Sequence, residues 1–135
     1  MSGLGDGVIE ELAEDAGRMA SPLSAIHIHH VQGAVSRVNA DATAFGHRDA
    51  PFILNILGGW MDPTESDAHI AWVREAWRAV QPYSTGAAYL NFLGDEGAAR
   101  MQAAYGAQKY ERLVEIKKQY DPTNLFRFNQ NIKPA

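Results

Sequence analysis

Two alternating stretches and one strongly marked helix start predict an α+β fold, an antiparallel sheet with helices packed on one face and the other face open. The segment Ser24 to Val31, "SAIHIHHV", sets Ile26 and Ile28 on one side and His27 and His29 on the other. The segment Gly86 to Leu93, "GAAYLNFL", alternates in the same way, with Ala88, Leu90 and Phe92 opposite Tyr89 and Asn91. Between them "DPTES" opens a helix. Strands joined by tight turns pair antiparallel, and helices that follow in sequence cover one side of the sheet.

The elements are justified in order. From Asp6 to Ala20, Val8, Ile9, Leu12, Ala16 and Met19 make a helical stripe, with Asp6 at the N-cap and Pro22 as the stop. After the strand at Ser24 to Val31, Gly33 suits a bulge or turn. Val35 to Val38 and Thr43 to His47 read as short strands, and Pro51 to Leu57 as a stronger one. Asp62 then caps a helix that has Pro63 in its first turn and Glu65 as capping-box partner. Ile70, Val73, Trp77 and Val80 recur at helical steps up to Gln81-Pro82, which places Trp77 in the core. The strand at Gly86 to Leu93 turns Ala88, Leu90 and Phe92 to the helices and Tyr89 and Asn91 away from them. Two helices close the chain, Asp95 to Tyr105 ending at Gly106, and Ala107 to Tyr120 with Tyr110, Leu113 and Val114 as its apolar face. Asp121-Pro122 stops the second.

A chain of 135 residues suits one domain. Its parts are an N-terminal helix over 1–22, strands and a helix over 23–82, and a closing segment over 83–135. Hydrophobic residues at 46% and charged residues at 21% are globular values, and no apolar run is long enough to span a bilayer. A formal charge of −4 with no basic cluster argues against a nucleic-acid partner, leaving small molecules and proteins. The absence of cysteine excludes disulfides, thiolate metal sites and cysteine nucleophiles. The N-terminal "MSGLGDG" lacks the basic-then-apolar pattern of a secretory signal, so the expected address is the cytoplasm.

The candidate site follows from the alternation. If the helices cover one face, His27, His29, Tyr89 and Asn91 collect on the other, and Asn55 joins them as a substrate-binding residue if its strand pairs in matching register. His27, His29 and His30 raise a metal reading, because residues i and i+2 on a strand point the same way. No spacing rule brings His47 or Asp49 in as a third ligand, so the expectation is pocket lining or a solvated face, with no metal. A tyrosine hydroxyl titrates at about 10 in water. Tyr89 therefore needs a cationic neighbour or polarising hydrogen bonds to act as a base, and a sheet-face aromatic with a solvated hydroxyl is the plainer reading.

The long pattern formed by "YLNFLGDE" and "AAYGAQKYERLVEIKKQYDPTNLFRFNQNIKP" resembles the C-terminal segment of the berberine bridge enzyme-like family of FAD-linked oxidoreductases. The preceding "GAVSRVNADATAFGHRDAPFILNI", with Trp60, resembles the substrate domain of bacterial members, so that the likeness runs from about Leu23 onward. The resemblance implies that Tyr89, in the Tyr-x-Asn motif, is or assists the base that deprotonates a substrate hydroxyl, with Asn91 as a polar contact to flavin or substrate. It implies that His47 and Arg48 orient neighbouring loops, with a turn-stabilising pair as the alternative, and that Asp121, Pro122 and Asn124 are structural. Asn129, Gln130 and Asn131 would hydrogen-bond at a domain boundary.

In relatives a separate flavin domain carries a phosphate-cradling glycine loop and an attachment histidine, and Gly58-Gly59-Trp60 does not match that pattern. The expectation is no cofactor bound by this chain alone, with FAD supplied by a partner chain. Two function classes result. One is the substrate-binding part of a flavin-dependent oxidoreductase; the other is a stand-alone cofactor-free enzyme of proton transfer or cyclisation, or a small-ligand binding protein. A bare sheet face further predicts a homodimer stacked through it, trapping a cavity lined by His27, His29, Tyr89 and Asn91 of both chains. Phe126, Phe128 and Ile132 either reach a neighbouring subunit or pack on their own domain.

Overall fold

The structure, a computed structural model, describes residues 1–94 and 97–135. The helix start expected at Asp95 lies outside the described residues. Among the described residues the α-helices and strands follow in chain order: α1 (Asp6–Gly17), β1 (Ala25–His30), α2 (Ala34–Arg37), β2 (Phe52–Leu57), α3 (Ser66–Val80), α4 (Ala98–Tyr105) and α5 (Ala107–Tyr120). Contacts divide the chain into two compact units, Met1–Ser36 with Asp49–Gly86, and Arg37–Arg48 with Ala87–Ala135.

The first unit is the α+β part. β1 and β2 pair antiparallel, with His27 opposite Asn55, Ile28 opposite Leu54 and His29 opposite Ile53. Because side chains alternate, Ile26 shares the inner face with Leu54 and Ile56, and His27, His29 and Asn55 share the outer one. α1 touches β1 and α3 touches β2, so the helices cover the inner face. The core there joins Met1, Val8, Leu12 and Val80, with Leu4, Ile26, Phe52, Leu54 and Ile56 packed around them. Full burial of a side chain such as Val8 or Leu12 contributes about 1.5–3 kcal/mol. α1 and α3 are further tied by the Trp72 indole Nε1, which donates to the Asp15 carbonyl at 3.0 Å.

Several expected elements take other forms. The short strands at 35–38 and 43–47 are not formed. Ser36 Oγ donates to the Gly33 carbonyl at 3.1 Å and Asn39 accepts from the Asp41 N–H at 2.8 Å, so local side-chain bonds wind this stretch into α2 and a 3₁₀ turn at Ala40–Ala42. Nor does Gly86 to Leu93 form a strand. Gly86 sits at φ +76, and residues 90–92 close a 3₁₀ turn in which the Phe92 N–H donates to the Tyr89 carbonyl at 2.9 Å. Phe92 is 40% exposed instead of lying under helices. Alternation by itself does not supply a partner strand, and among the described residues the sheet consists of β1 and β2.

Helix ends and faces also differ in detail. α1 starts after Gly5 without a side-chain cap and stops at Gly17, short of Ala20. At the next start Asp62 does cap, but it accepts from Thr64 N–H and Oγ1 at 2.9 and 2.7 Å, and Glu65 is not its capping-box partner. The buried face of α3 is His69, Trp72, Ala76 and Val80, one step round from the expected stripe, and Trp77 is 48% exposed. In the second unit α4 meets α5 at Gly106, whose φ of +79 suits glycine and turns the chain between the two helices. Tyr110, Leu113 and Val114 of α5 are half-buried, on the face expected of them.

Candidate functional site

In the first unit the outer sheet face gathers His27, His29 and Asn55. The register sets His27 directly opposite Asn55, and the His27 and His29 rings meet edge to face at 5.9 Å. Among the described residues no three His, Asp or Glu side chains converge as a metal site. A further histidine, His69, is buried in α3. It stacks on Trp60 at 5.3 Å and has its Nε2 at 3.6 Å from Glu65, while the Trp60 indole N–H donates to Ser66 Oγ at 2.9 Å.

The second unit holds Tyr89 and Asn91, which lie on a turn and not on the sheet. The turn brings their side chains into contact: Asn91 Nδ2 donates to the Tyr89 hydroxyl oxygen at 2.8 Å. Two rings bracket Tyr89 edge to face, Phe45 at 5.8 Å and Phe92 at 4.8 Å. Phe45 is itself covered by the Arg48 guanidinium at 5.1 Å, and Arg48 Nη2 donates to Thr43 Oγ1 at 2.7 Å. The neighbouring His47 donates through Nε2 to the Ala104 carbonyl at 3.0 Å, anchoring this loop to α4.

The tail is organised by one carboxylate. Asp121 is buried at the end of α5 and accepts from the N–H groups of Leu125 and Phe126 at 2.7 and 3.0 Å, and from Lys117 Nζ. The Lys117 hydrogen bond is the largest influence and holds its carboxyl below the ordinary aspartate range; desolvation opposes it, and the N–H groups of Leu125 and Phe126 add to the lowering. Pro122 follows at the turn, and Asn124 occupies the left-handed region at φ 55, donating its N–H to the Asp121 carbonyl at 3.0 Å. Gln130 Nε2 then donates to the Leu93 and Gly94 carbonyls, each at 3.0 Å, so the tail returns to the Tyr89 segment. Between these parts lies an open cleft of about 590 Å³, lined by Leu90, Asn91, Leu93, Gly94, Asn129 and Gln130.

Thus the structure unites Tyr89 with Asn91, and His27 with His29 and Asn55, as two separate groupings. Sequence reasoning missed Phe45 and Phe92 as neighbours of Tyr89. Phe92 carried a local signal, three residues on in a turn-forming run; Phe45 lies too far off in sequence to carry one.

The Gly58-Gly59 pair does not fit the pyrophosphate of FAD. A cradle needs glycines whose backbone is open to the phosphates. Around Gly58 a Cβ would lie 2.7 Å from Val73 Cγ2, and at Gly59 2.6 Å from the Leu23 carbonyl oxygen, so this pair is closed against its own chain.

Comparison with known proteins adds four findings. Residues 88–133 match the family model "Berberine and berberine like". The FAD-linked oxidoreductase YvdP of Bacillus subtilis is 37% identical over 103 residues, covering 76% of this chain and 23% of the relative. The monolignol oxidoreductase AtBBE-like 13 of Arabidopsis thaliana is 34% identical over 113 residues, covering 74% of this chain and 21% of the relative. Among solved structures, BBE-like 1 of Physcomitrella patens superposes with a TM-score of 0.78 at 25% identity, over 98% of this chain and 28% of the neighbour. The chain therefore spans about a quarter of the length of the relatives it matches.

Proposed function

Since the chain belongs to the berberine bridge enzyme-like family of FAD-linked oxidoreductases, we propose that it is the substrate-binding part of a flavin-dependent oxidoreductase, completed by FAD on a partner chain. The observation that carries this reading is the Tyr89 hydroxyl held by Asn91, with Asn91 itself lining the open cleft. A substrate alcohol in that cleft would give its hydroxyl proton to the Tyr89 oxygen as phenolate, forming the phenol, while the partner's FAD would supply the two-electron oxidant that takes the hydride from the carbinol carbon. The carboxamides of Asn129 and Gln130 give the cleft donors and acceptors for a polar small molecule, and Leu90 and Leu93 give it apolar wall. The outer face formed by His27, His29 and Asn55 is a second substrate-contacting surface in this reading. Without its partner, the same open face pairs two copies of the chain.

The test supplies the missing cofactor in trans. The part of the Bacillus relative outside the matched region is co-expressed with this chain, and the complex is examined for flavin colour and for oxidation of a monolignol, coniferyl alcohol. A yellow complex that turns over and loses activity in Tyr89→Phe is the expected result, while the isolated chain shows negligible FAD binding by fluorescence titration. A colourless chain that neither captures the flavin part nor oxidises alcohols, yet binds small ligands in the cleft, overturns this reading and favours a stand-alone ligand-binding protein.

A further inference from the structure

We infer that Asn91 is a positioning residue for Tyr89, and that the polarity of their hydrogen bond fixes the tyrosine oxygen as a proton acceptor. The inference rests on the proton-acceptor role proposed for Tyr89. A residue two positions away on a strand points in parallel with its neighbour. The 3₁₀ turn at Leu90–Phe92 instead curls the Asn91 carboxamide onto the phenol, at 2.8 Å. The contact is made through nitrogen, which can only donate. Asn91 therefore occupies an acceptor site of the phenol oxygen and supplies it with a donor that favours negative charge there. The reverse arrangement, a phenol donating to the carboxamide oxygen, would engage the phenolic proton and oppose the role.

A single exposed hydrogen bond between two mobile side chains fixes little, because ordering them costs about what the bond returns. Here the ring is already held. Phe45 and Phe92 meet it at interplanar angles of 84° and 89°, and Phe45 is covered in turn by Arg48, itself bonded to Thr43. Phe92 is set by the same turn, through its N–H to the Tyr89 carbonyl. The aromatic bracket supplies the ring direction and Asn91 supplies the polarity. Asn91 thus acts on the reaction through Tyr89, and not as a direct contact to substrate.

The first arm of the test uses the full chain alone, with ¹³C-labelled tyrosine and the Tyr89 Cζ resonance identified by its loss in Tyr89→Phe. Asn91→Leu and Asn91→Asp are both expected to move that resonance, because neither retains the amide donor. If Asn91→Leu leaves it unmoved, or if Asn91→Asp preserves the wild-type position, the donor polarity is wrong and the inference falls. The second arm uses the flavin-supplied complex. Asn91→Leu is expected to lower kcat about tenfold at unchanged KM, and to have no further effect in a Tyr89→Phe background. A raised KM with unchanged kcat, or an equal loss in both backgrounds, assigns Asn91 to the substrate and overturns the inference. Full activity of Tyr89→Phe removes the proton-acceptor role itself, and the Cζ result distinguishes that outcome from a failure of the contact.

Discussion

Asp121 shows how one side chain can order a terminal segment that has no strand or helix of its own. Its two oxygens take the N–H groups of Leu125 and Phe126, and Lys117 bridges back to the Phe126 carbonyl at 2.6 Å. The "YDPTN" run is legible in sequence as a helix stop, since Pro cannot continue a helix and Asp and Asn favour turns. Which amides the carboxylate would take was not. The carboxyl sits below its ordinary range, so it contributes stability that is present above the unfolded aspartate value, about 4, and is lost as pH falls through the lower folded value. The expected outcome is that the Leu125 and Phe126 amide resonances hold their positions above pH of about 4 and shift together in stronger acid. In Asp121→Asn they should already be displaced at neutral pH. Amide positions that stay fixed through the acid range would show that the carboxylate does not order the tail.

At the scale of elements, α3 marks the limit of periodicity. Ile70, Val73, Trp77 and Val80 form a regular stripe, yet the face buried in the structure is His69, Trp72, Ala76 and Val80. The two tryptophans were separable only by their surroundings: Trp72 finds the Asp15 carbonyl as partner for its indole N–H, and Trp77 stays half exposed. Trp72→Ala should accordingly cost about 3–5 kcal/mol in urea unfolding, and Trp77→Ala within about 1 kcal/mol. Equal losses would contradict the observed face. The segment Gly86 to Leu93 teaches the same lesson in another form. Its alternation is a property of the residues, but a strand also needs a neighbour to bond to, and without one the run closes into a turn that brings Tyr89, Asn91 and Phe92 together.

At the scale of the molecule, a sheet of β1 and β2, to which Met1 is bonded at Phe52, carries an outer face bearing His27, His29 and Asn55. Two strands bury little by themselves. A homodimer through this face is the expected state of the purified chain in light scattering, and Ile53→Glu, a charge placed opposite His29 on that face, should return it to monomer. A monomer at micromolar concentration would remove the shared surface. The sequence by itself determined the family, the α+β class, the strands β1 and β2, the cap at Asp62, the start of α5 and the stop at Asp121-Pro122, because motif order, alternation and capping chemistry are local properties of the chain. Only the tertiary structure decided which face of α3 is buried and that Tyr89 and Asn91 stand on a turn. It also decided that Phe45, distant in sequence, stands beside them. Those outcomes depend on which partner each surface meets, and contacts between residues remote in sequence leave no periodic trace in it.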